Sequence, residues 1–306
     1  MIPFAPRPSP WVHKEAVVNG VRLHYVDAGV GPLVLLLHGF PDFWYTWRRQ
    51  IPALVAAGFR VVAPDLRGYN VSDKPKSVSS YRMSALTGDI VGLISHLGEK
   101  RATLVGHDWG GAIAWDTALR HPAVVDNLVI LNAPYPTLFL RKVRSLRQLT
   151  KSWYILFFQL PWLPEAVLKA GSFAVVERML RNDTLRSDAF TDEDITYYKR
   201  ALGQRGALTA MINYYRAAFH PRSFDRQRLA SHIDAPTLLI WGEEDRFLDK
   251  SLTEGLEEWV NDLRVERIPH ASHWVHADAP EKVNHLMVDF LQHQRERSTG
   301  SPVASG

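Results

Sequence analysis

This sequence predicts an α/β fold: a mostly parallel, doubly wound sheet interrupted by one inserted helical segment. Three observations predict it. Short continuous apolar runs alternate with stretches of helical period over residues 1–134, as expected of β–α units feeding a parallel sheet. The alternation stops near Tyr135, where the chain turns helical and aromatic, and resumes at Thr237. One run, Ala102 to Leu119, passes from apolar strand to helix through a glycine-flanked corner, Gly106-His107-Asp108-Trp109-Gly110-Gly111. The expected organisation is a core in two parts, 1–134 and 226–306, around a helical cap over 135–225, with a disordered tail from about residue 297.

Taken in order, Pro3, Pro6, Pro8 and Pro10 make an extended arm. Glu15 to Val18 and Val21 to Asp27 flank Asn19-Gly20, a strong hairpin signal. Leu33 to Leu37 is unbroken apolar sequence, so it reads as a strand covered on both faces, and it ends in His38-Gly39-Phe40-Pro41. A helix is expected from Trp44 to Ala57, closed by Gly58. Strand Arg60 to Ala63 leads into Pro64-Asp65-Leu66-Arg67-Gly68, a loop with a structural role, and a helix from Tyr81 to Leu97 stops at Gly98. Asp89 and Asp116 fall within helical patterns and are expected at the surface or behind the site. After the corner comes strand Leu128 to Leu131, ending in Asn132-Ala133-Pro134. The insertion follows, and then strands Thr237 to Trp241 and Arg264 to Ile268. From Glu296 the chain is rich in Ser and Gly, and disorder is expected there.

The chemistry starts at the corner. A strand-to-helix corner holds its apical residue at strained backbone angles, and its neighbours must be small where strand and helix pass close. The apical residue is Asp108, where a serine or cysteine would be the usual nucleophile. A carboxylate is already an anion at neutral pH and needs no base to attack. It suits displacement at a saturated carbon, and the product is an ester of the enzyme, whose hydrolysis then needs a histidine base. An Asp before a helix is ordinarily a cap. Glycines on both sides and acid and histidine partners downstream favour the nucleophile.

Composition excludes several other classes. At 306 residues with 46% hydrophobic and 22% charged content, the chain is ordinary for a globular protein. It has no cysteine, which rules out a disulfide frame, a thiol nucleophile and a cysteine-ligated zinc. The net charge of +4 is small, and the one basic cluster, Arg141-Lys142-Val143-Arg144 with Arg147, reads as a solvated helix face. Met1 to Pro10 lacks the apolar core of a signal peptide, and no segment reaches the length of a membrane span. A cytoplasmic protein, monomer or homodimer, is expected. No phosphate loop, metal-ligand spacing or nucleic-acid motif stands out, so no cofactor, no metal and no nucleic-acid partner is expected.

Two polar segments follow the last strands. Trp241-Gly242-Glu243-Glu244-Asp245-Arg246 places three carboxylates in a row, none excluded by residue type. Pro269-His270-Ala271-Ser272-His273-Trp274 offers His270 and His273, with His276 nearby. A carboxylate on one imidazole nitrogen fixes the tautomer and leaves the other free to take a proton from water.

With these motifs in this order, the chain resembles the α/β-hydrolases over nearly its whole length, and among them the epoxide hydrolases most. Haloalkane and fluoroacetate dehalogenases share the aspartate and remain the alternative activity; a non-catalytic ligand-binding receptor is a third reading. The resemblance points to Asp245 as the acid and to His273, the histidine before the aromatic, as the base. Some dehalogenases carry the acid where Asn132 stands, and an amide cannot support an imidazolium as a carboxylate does, which favours Asp245. It implies an oxyanion hole from the Phe40 and Trp109 N–H groups and a cis bond between Phe40 and Pro41. It also implies two cap tyrosines that donate to the leaving oxygen: Tyr154, four residues before Phe158-Gln159, and Tyr215 in Asn213-Tyr214-Tyr215-Arg216. An epoxide oxygen leaves as an alkoxide and wants a neutral proton donor, whereas a halide wants none. Adjacent helical residues point about 100° apart, so Tyr214 and Tyr215 cannot both face the site. The implied reaction takes a small apolar epoxide and water to a vicinal diol.

Overall fold

The computed structural model describes residues 11–142, 146–218 and 231–300. Eight strands make one sheet: β1 (Val12–Val18), β2 (Val21–Ala28), β3 (Leu33–Leu37), β4 (Arg60–Pro64), β5 (Ala102–His107), β6 (Val125–Leu131), β7 (Thr237–Gly242) and β8 (Leu263–Ile268). Their order across the sheet is β1-β2-β4-β3-β5-β6-β7-β8. The β1–β2 and β2–β4 pairs are antiparallel, and the rest are parallel. The hairpin turns at Asn19 and Gly20, both at positive φ (50° and 73°), as a two-residue turn requires. Every residue of β3, β5 and β7 is buried, which explains their unbroken apolar sequences. The edge strand β8 is half-covered and carries Arg264 and Glu266 in an ion pair, charges that keep an open edge from pairing with another chain.

On the sheet pack α1 (Ile51–Ala56), α2 (Met83–His96) and α3 (Trp109–Arg120). The single helix expected over Trp44 to Ala57 is instead two pieces, a 3-10 segment Trp44–Arg49 and then α1. Pro52 explains the break. It lacks an N–H and fits only the first turn of a helix, so the chain must start a new one there.

Between β6 and β7 the described residues form no strand. They fold into α4 (Pro136–Lys142), α5 (Leu146–Lys151), α6 (Trp153–Phe157), α7 (Leu163–Asp183), α8 (Asp192–Leu202) and α9 (Ala207–Ala218). The boundary expected at 225/226 falls in 219–230, outside the described residues, as does the proline arm. Buried polar contacts seat these helices on the sheet half. Tyr198 donates to Asp42 Oδ1 at 2.6 Å, Tyr214 to the Arg67 carbonyl at 2.7 Å, and Tyr45 to Asp194 at 2.9 Å. After β8 come α10 (Val275–Asp278) and α11 (Pro280–Gly300). The tail expected to be disordered from about 297 is therefore helical to Gly300. Arg297 is held by Asp262 at 2.9 Å and by Gln294, and the Ser298 hydroxyl donates to the Gln294 carbonyl.

Of the two places expected for Asp89 and Asp116, the surface is ruled out for the first. Asp89 is buried and takes both arms of the Arg67 guanidinium at 2.6 and 2.7 Å. Asp116 is mostly covered and pairs with Arg120 one turn on. In the basic cluster Arg141 is exposed but engaged, bidentate on Glu258 and stacked over Trp259, and Lys142 donates to the Ser251 carbonyl. Val143, Arg144 and the Arg147 side chain lie outside the described residues. No described helix is long and apolar enough to cross a membrane.

Candidate active site

The site lies beyond the carboxyl ends of β3, β5, β6, β7 and β8, where open α/β sheets place their ligands. Asp108 sits at the β5–α3 corner with φ 51° and ψ −120°, outside any region an L-residue adopts freely. Its carboxylate makes no capping bond to α3. It turns to the β3 loop instead, where Oδ1 accepts the Phe40 N–H at 2.8 Å. The small neighbours expected at this corner are needed. A methyl on Gly110 would strike the Leu37 backbone, and one on Gly106 would strike Gly110.

The Phe40 amide is aimed from two sides. The Leu66 N–H donates to His38 Nε2, so His38 Nδ1 carries the proton and donates to the Gly39 carbonyl, both at 3.0 Å. That holds the peptide before Phe40, and the Phe40–Pro41 bond is cis. Gly39 is a functional position the sequence reading passed over. A Cβ there would fall on the Asp108 carboxylate. Gly39→Ala should therefore leave the fold intact by circular dichroism and cut turnover by about 10²–10³, the effect of losing one oxyanion donor. Turnover within threefold of the parent would refute that role for the close approach.

His273 stands between two carboxylates. Its Nδ1 donates to Asp245 Oδ2 at 2.8 Å, and its Nε2 lies 3.6 Å from Asp108 Oδ2. Burial opposes charge on this ring, but Asp245 and Asp108 together outweigh it and raise its pKa to about 10. Asp245 is buried, yet His273, Asn132 and the Leu248 amide hold its carboxyl below the ordinary value. The rivals go elsewhere. Glu244 meets the exposed His270, Glu243 faces Lys250, and His276 Nε2 bonds Thr46.

Asn132, weighed in the sequence as a place for the acid, has a different position. Its Nδ2 donates to Asp245 Oδ2 at 2.7 Å, and its Oδ1 accepts the Gly242 N–H at 2.9 Å. The Phe247 and Leu248 amides hold Asp245 Oδ1 at 2.7 and 2.9 Å. His107, next to Asp108, donates from Nε2 to the His273 carbonyl at 2.9 Å. Beneath it Asp42 is fully buried. Burial opposes its charge, but the His107 ring and the Tyr198 hydroxyl hold its carboxyl down at about 2. The Asn132, His107 and Tyr198 contacts were not legible, since each pairs residues more than a hundred positions apart.

Above the carboxylates is an aromatic cage. Tyr215 packs edge-on against Phe40, Trp109 and Phe158, with centroids 5.5, 5.1 and 4.8 Å away, and Tyr154 lies 5.9 Å from Tyr215. Phe247 fits between Tyr154 and His273. Burial, and then the nearby Asp108 carboxylate, push both tyrosine hydroxyls far above the ordinary phenol range, so both are un-ionised donors. Tyr214 points away to Arg67, as helical geometry requires. Trp109 opens α3, so its amide stands at a helix N-terminus. Among the described residues no cluster of three or more His, Asp or Glu could hold a metal.

Comparison with known proteins bears on the family. Residues 32–280 match the family model described as alpha/beta hydrolase fold. The chain is 43% identical to the AB hydrolase superfamily protein YfhM of Bacillus subtilis (strain 168), over 90% of this chain and 96% of that protein. It is 38% identical to epoxide hydrolase 2 of Caenorhabditis elegans, over 95% of this chain and 82% of that one. Among solved structures, the Bacillus megaterium epoxide hydrolase in complex with an inhibitor superposes with a TM-score of 0.85 at 35% identity, covering 91% of this chain and 100% of that chain. A corner aspartate in place of serine, a histidine between two carboxylates and this breadth of similarity lead to one assignment: the chain belongs to the α/β-hydrolase fold family and, within it, to the epoxide hydrolases.

Proposed function

We propose that this chain converts an apolar epoxide and water to a vicinal diol through a covalent ester on Asp108. The observation that carries this reading is the placing of His273 between Asp245 and Asp108, beneath two un-ionised tyrosines. Asp108 attacks a ring carbon, the C–O bond breaks, and the departing oxygen takes a proton from Tyr154 or Tyr215. In the resting site His273 is an imidazolium facing two carboxylates. Once Asp108 is esterified, one of those charges is gone, and the imidazole can shed the proton that the tyrosinate needs. Neutral His273, oriented by Asp245, then takes a proton from water as the water adds to the ester carbon. The Phe40 and Trp109 amides stabilise the oxyanion, and its collapse releases the diol and restores Asp108 and the imidazolium. Charge and atoms balance without a cofactor. The cage of Phe40, Trp109, Phe158 and Phe247 fits an apolar substituent. Two hydroxyl donors fit an alkoxide leaving group, whereas a halide takes no proton. Cytoplasmic action as a monomer or homodimer belongs to the same proposal.

Oxygen labelling tests it. In one turnover in ¹⁸O water, label should enter the peptide carrying Asp108 and be absent from the diol, because water attacks the enzyme's own acyl carbon. Later turnovers should pass that label to product. If Asp108 instead served as a base for direct attack of water on the epoxide, the first diol would be labelled and the aspartate would not.

A further inference from the structure

The helix that precedes Tyr154 is tied to the loop that carries Asp245. Lys151, the last residue of α5, donates from Nζ to the Asp245 carbonyl at 2.5 Å and to the Leu248 carbonyl at 3.3 Å. Gln148, one turn earlier and buried, donates from Nε2 to the Phe247 carbonyl at 3.0 Å, and its Oε1 accepts the Asp249 N–H at 3.1 Å. Four bonds thus run from one short helix to backbone groups of Asp245, Phe247, Leu248 and Asp249. Among the described residues Lys151 has no carboxylate partner, so its charge is spent on two carbonyl oxygens. Three residues later comes Tyr154, and the ring of Phe247 lies 5.8 Å from Tyr154 and 5.3 Å from His273.

We infer that Lys151 is a positioning residue for the ring-opening step: with Gln148 it fixes the Tyr154 hydroxyl relative to the triad. The inference rests on the proposed epoxide reaction. The Asp245 carboxylate is also held from outside the clamped segment, by Asn132 and His273. Tyr154 lies on a helix of five residues, too short to hold its place unaided. Loss of the clamp should therefore misplace the tyrosine while leaving the acid–base pair in position. A general acid displaced by an ångström loses much of its effect.

Single-turnover rapid quench, with styrene oxide as the probe and enzyme in excess, gives ester formation and ester hydrolysis as separate rates. Lys151→Met should slow ester formation about tenfold and leave hydrolysis within about threefold. Lys151→Arg, a cation of similar reach, should recover most of the loss. In a Tyr154→Phe background, Lys151→Met should cost less than about threefold more, because the residue it positions no longer has its hydroxyl. A merely structural brace would lower Tm and the active fraction and leave both rates of the folded fraction alone. Unchanged ester formation in Lys151→Met, or the full tenfold loss repeated in the Tyr154→Phe background, would overturn the inference. If Lys151→Met does not fold, Gln148→Glu sets a carboxylate against the Phe247 carbonyl. Selective slowing of ester formation there supports the clamp, and equal slowing of both steps overturns it. A parent chain inactive on styrene oxide and on a wider epoxide screen overturns the epoxide reading together with this one. An active parent with an unaffected Lys151→Met overturns this one alone.

Discussion

His273→Gln is expected to halt turnover with the enzyme trapped as its own ester. The substitution leaves Asp108, Phe40 and both tyrosines in place, so the carboxylate can still open an epoxide. What it removes is the base for the second step, a loss on the order of 10²–10⁴ in rate. Intact-protein mass spectrometry with excess substrate should show one substrate mass added per chain, and peptide mapping should place it on Asp108. A variant that turns over at the parent rate with no adduct would defeat the two-step scheme. The parent's own pH profile gives a companion readout. In the resting site the Asp245 and Asp108 carboxylates raise His273 to about 10 against the cost of burial. Esterification removes the Asp108 charge, so the pKa in the ester lies below that value. Because the base works only when deprotonated, ester decay should rise with pH and level off below pH 10, whereas the His273→Gln ester should show no such rise.

Removing both cap hydroxyls should be nearly as damaging, but at the other step. Tyr154→Phe or Tyr215→Phe alone should slow ester formation by roughly 10–10³, since one donor remains for the departing oxygen. The double variant should form almost no ester, because the alkoxide would then leave without a proton in an apolar cage. Burial and the Asp108 charge hold both hydroxyls un-ionised, so the losses should be flat across neutral pH. Hydrolysis of any ester that does form should proceed at the parent rate. Full activity in both single variants and in the double would show that the tyrosines only pack.

The two sets of variants divide the site at the plane of Asp108. His273 and Asp245 come from loops at the ends of the strands, and the two tyrosines come from the inserted helices. Tyr198 on Asp42, Tyr214 on Arg67 and the Lys151–Gln148 clamp hold the two halves in register.

The sequence by itself determined the parts governed by local rules. The alternation of apolar runs and helical stretches reports which segments bury two faces, so seven of the eight strands were legible as strands in their approximate places, and β1 in part, from Glu15 onward. The corner motif was legible because close approach of strand and helix admits only glycine at Gly106 and Gly110, and because Asp108 is a residue type whose chemistry differs from serine. Family resemblance then singled out Asp245, His273, Tyr154 and Tyr215. Where local reading failed, the causes were of two kinds. Pro52, a local breaker, split a helix that the apolar pattern joined, and a tertiary contact with Asp262 holds the start of a tail that composition marked as loose. Residue type left Glu243 and Glu244 open beside Asp245, and the tertiary structure brings Asp245 to His273 and alone places Asn132 on the same carboxylate. It alone decided that Gly39 makes room for the carboxylate and that Lys151 reaches the acid loop. The His273–Asp245 contact joins residues 28 positions apart, and the Lys151–Asp245 and Asn132–Asp245 contacts join residues 94 and 113 apart. Spacing along a chain carries no information about such distances. They are set by the parallel order of the strands, which brings their carboxyl ends to one edge, and by the docking of the helices above that edge.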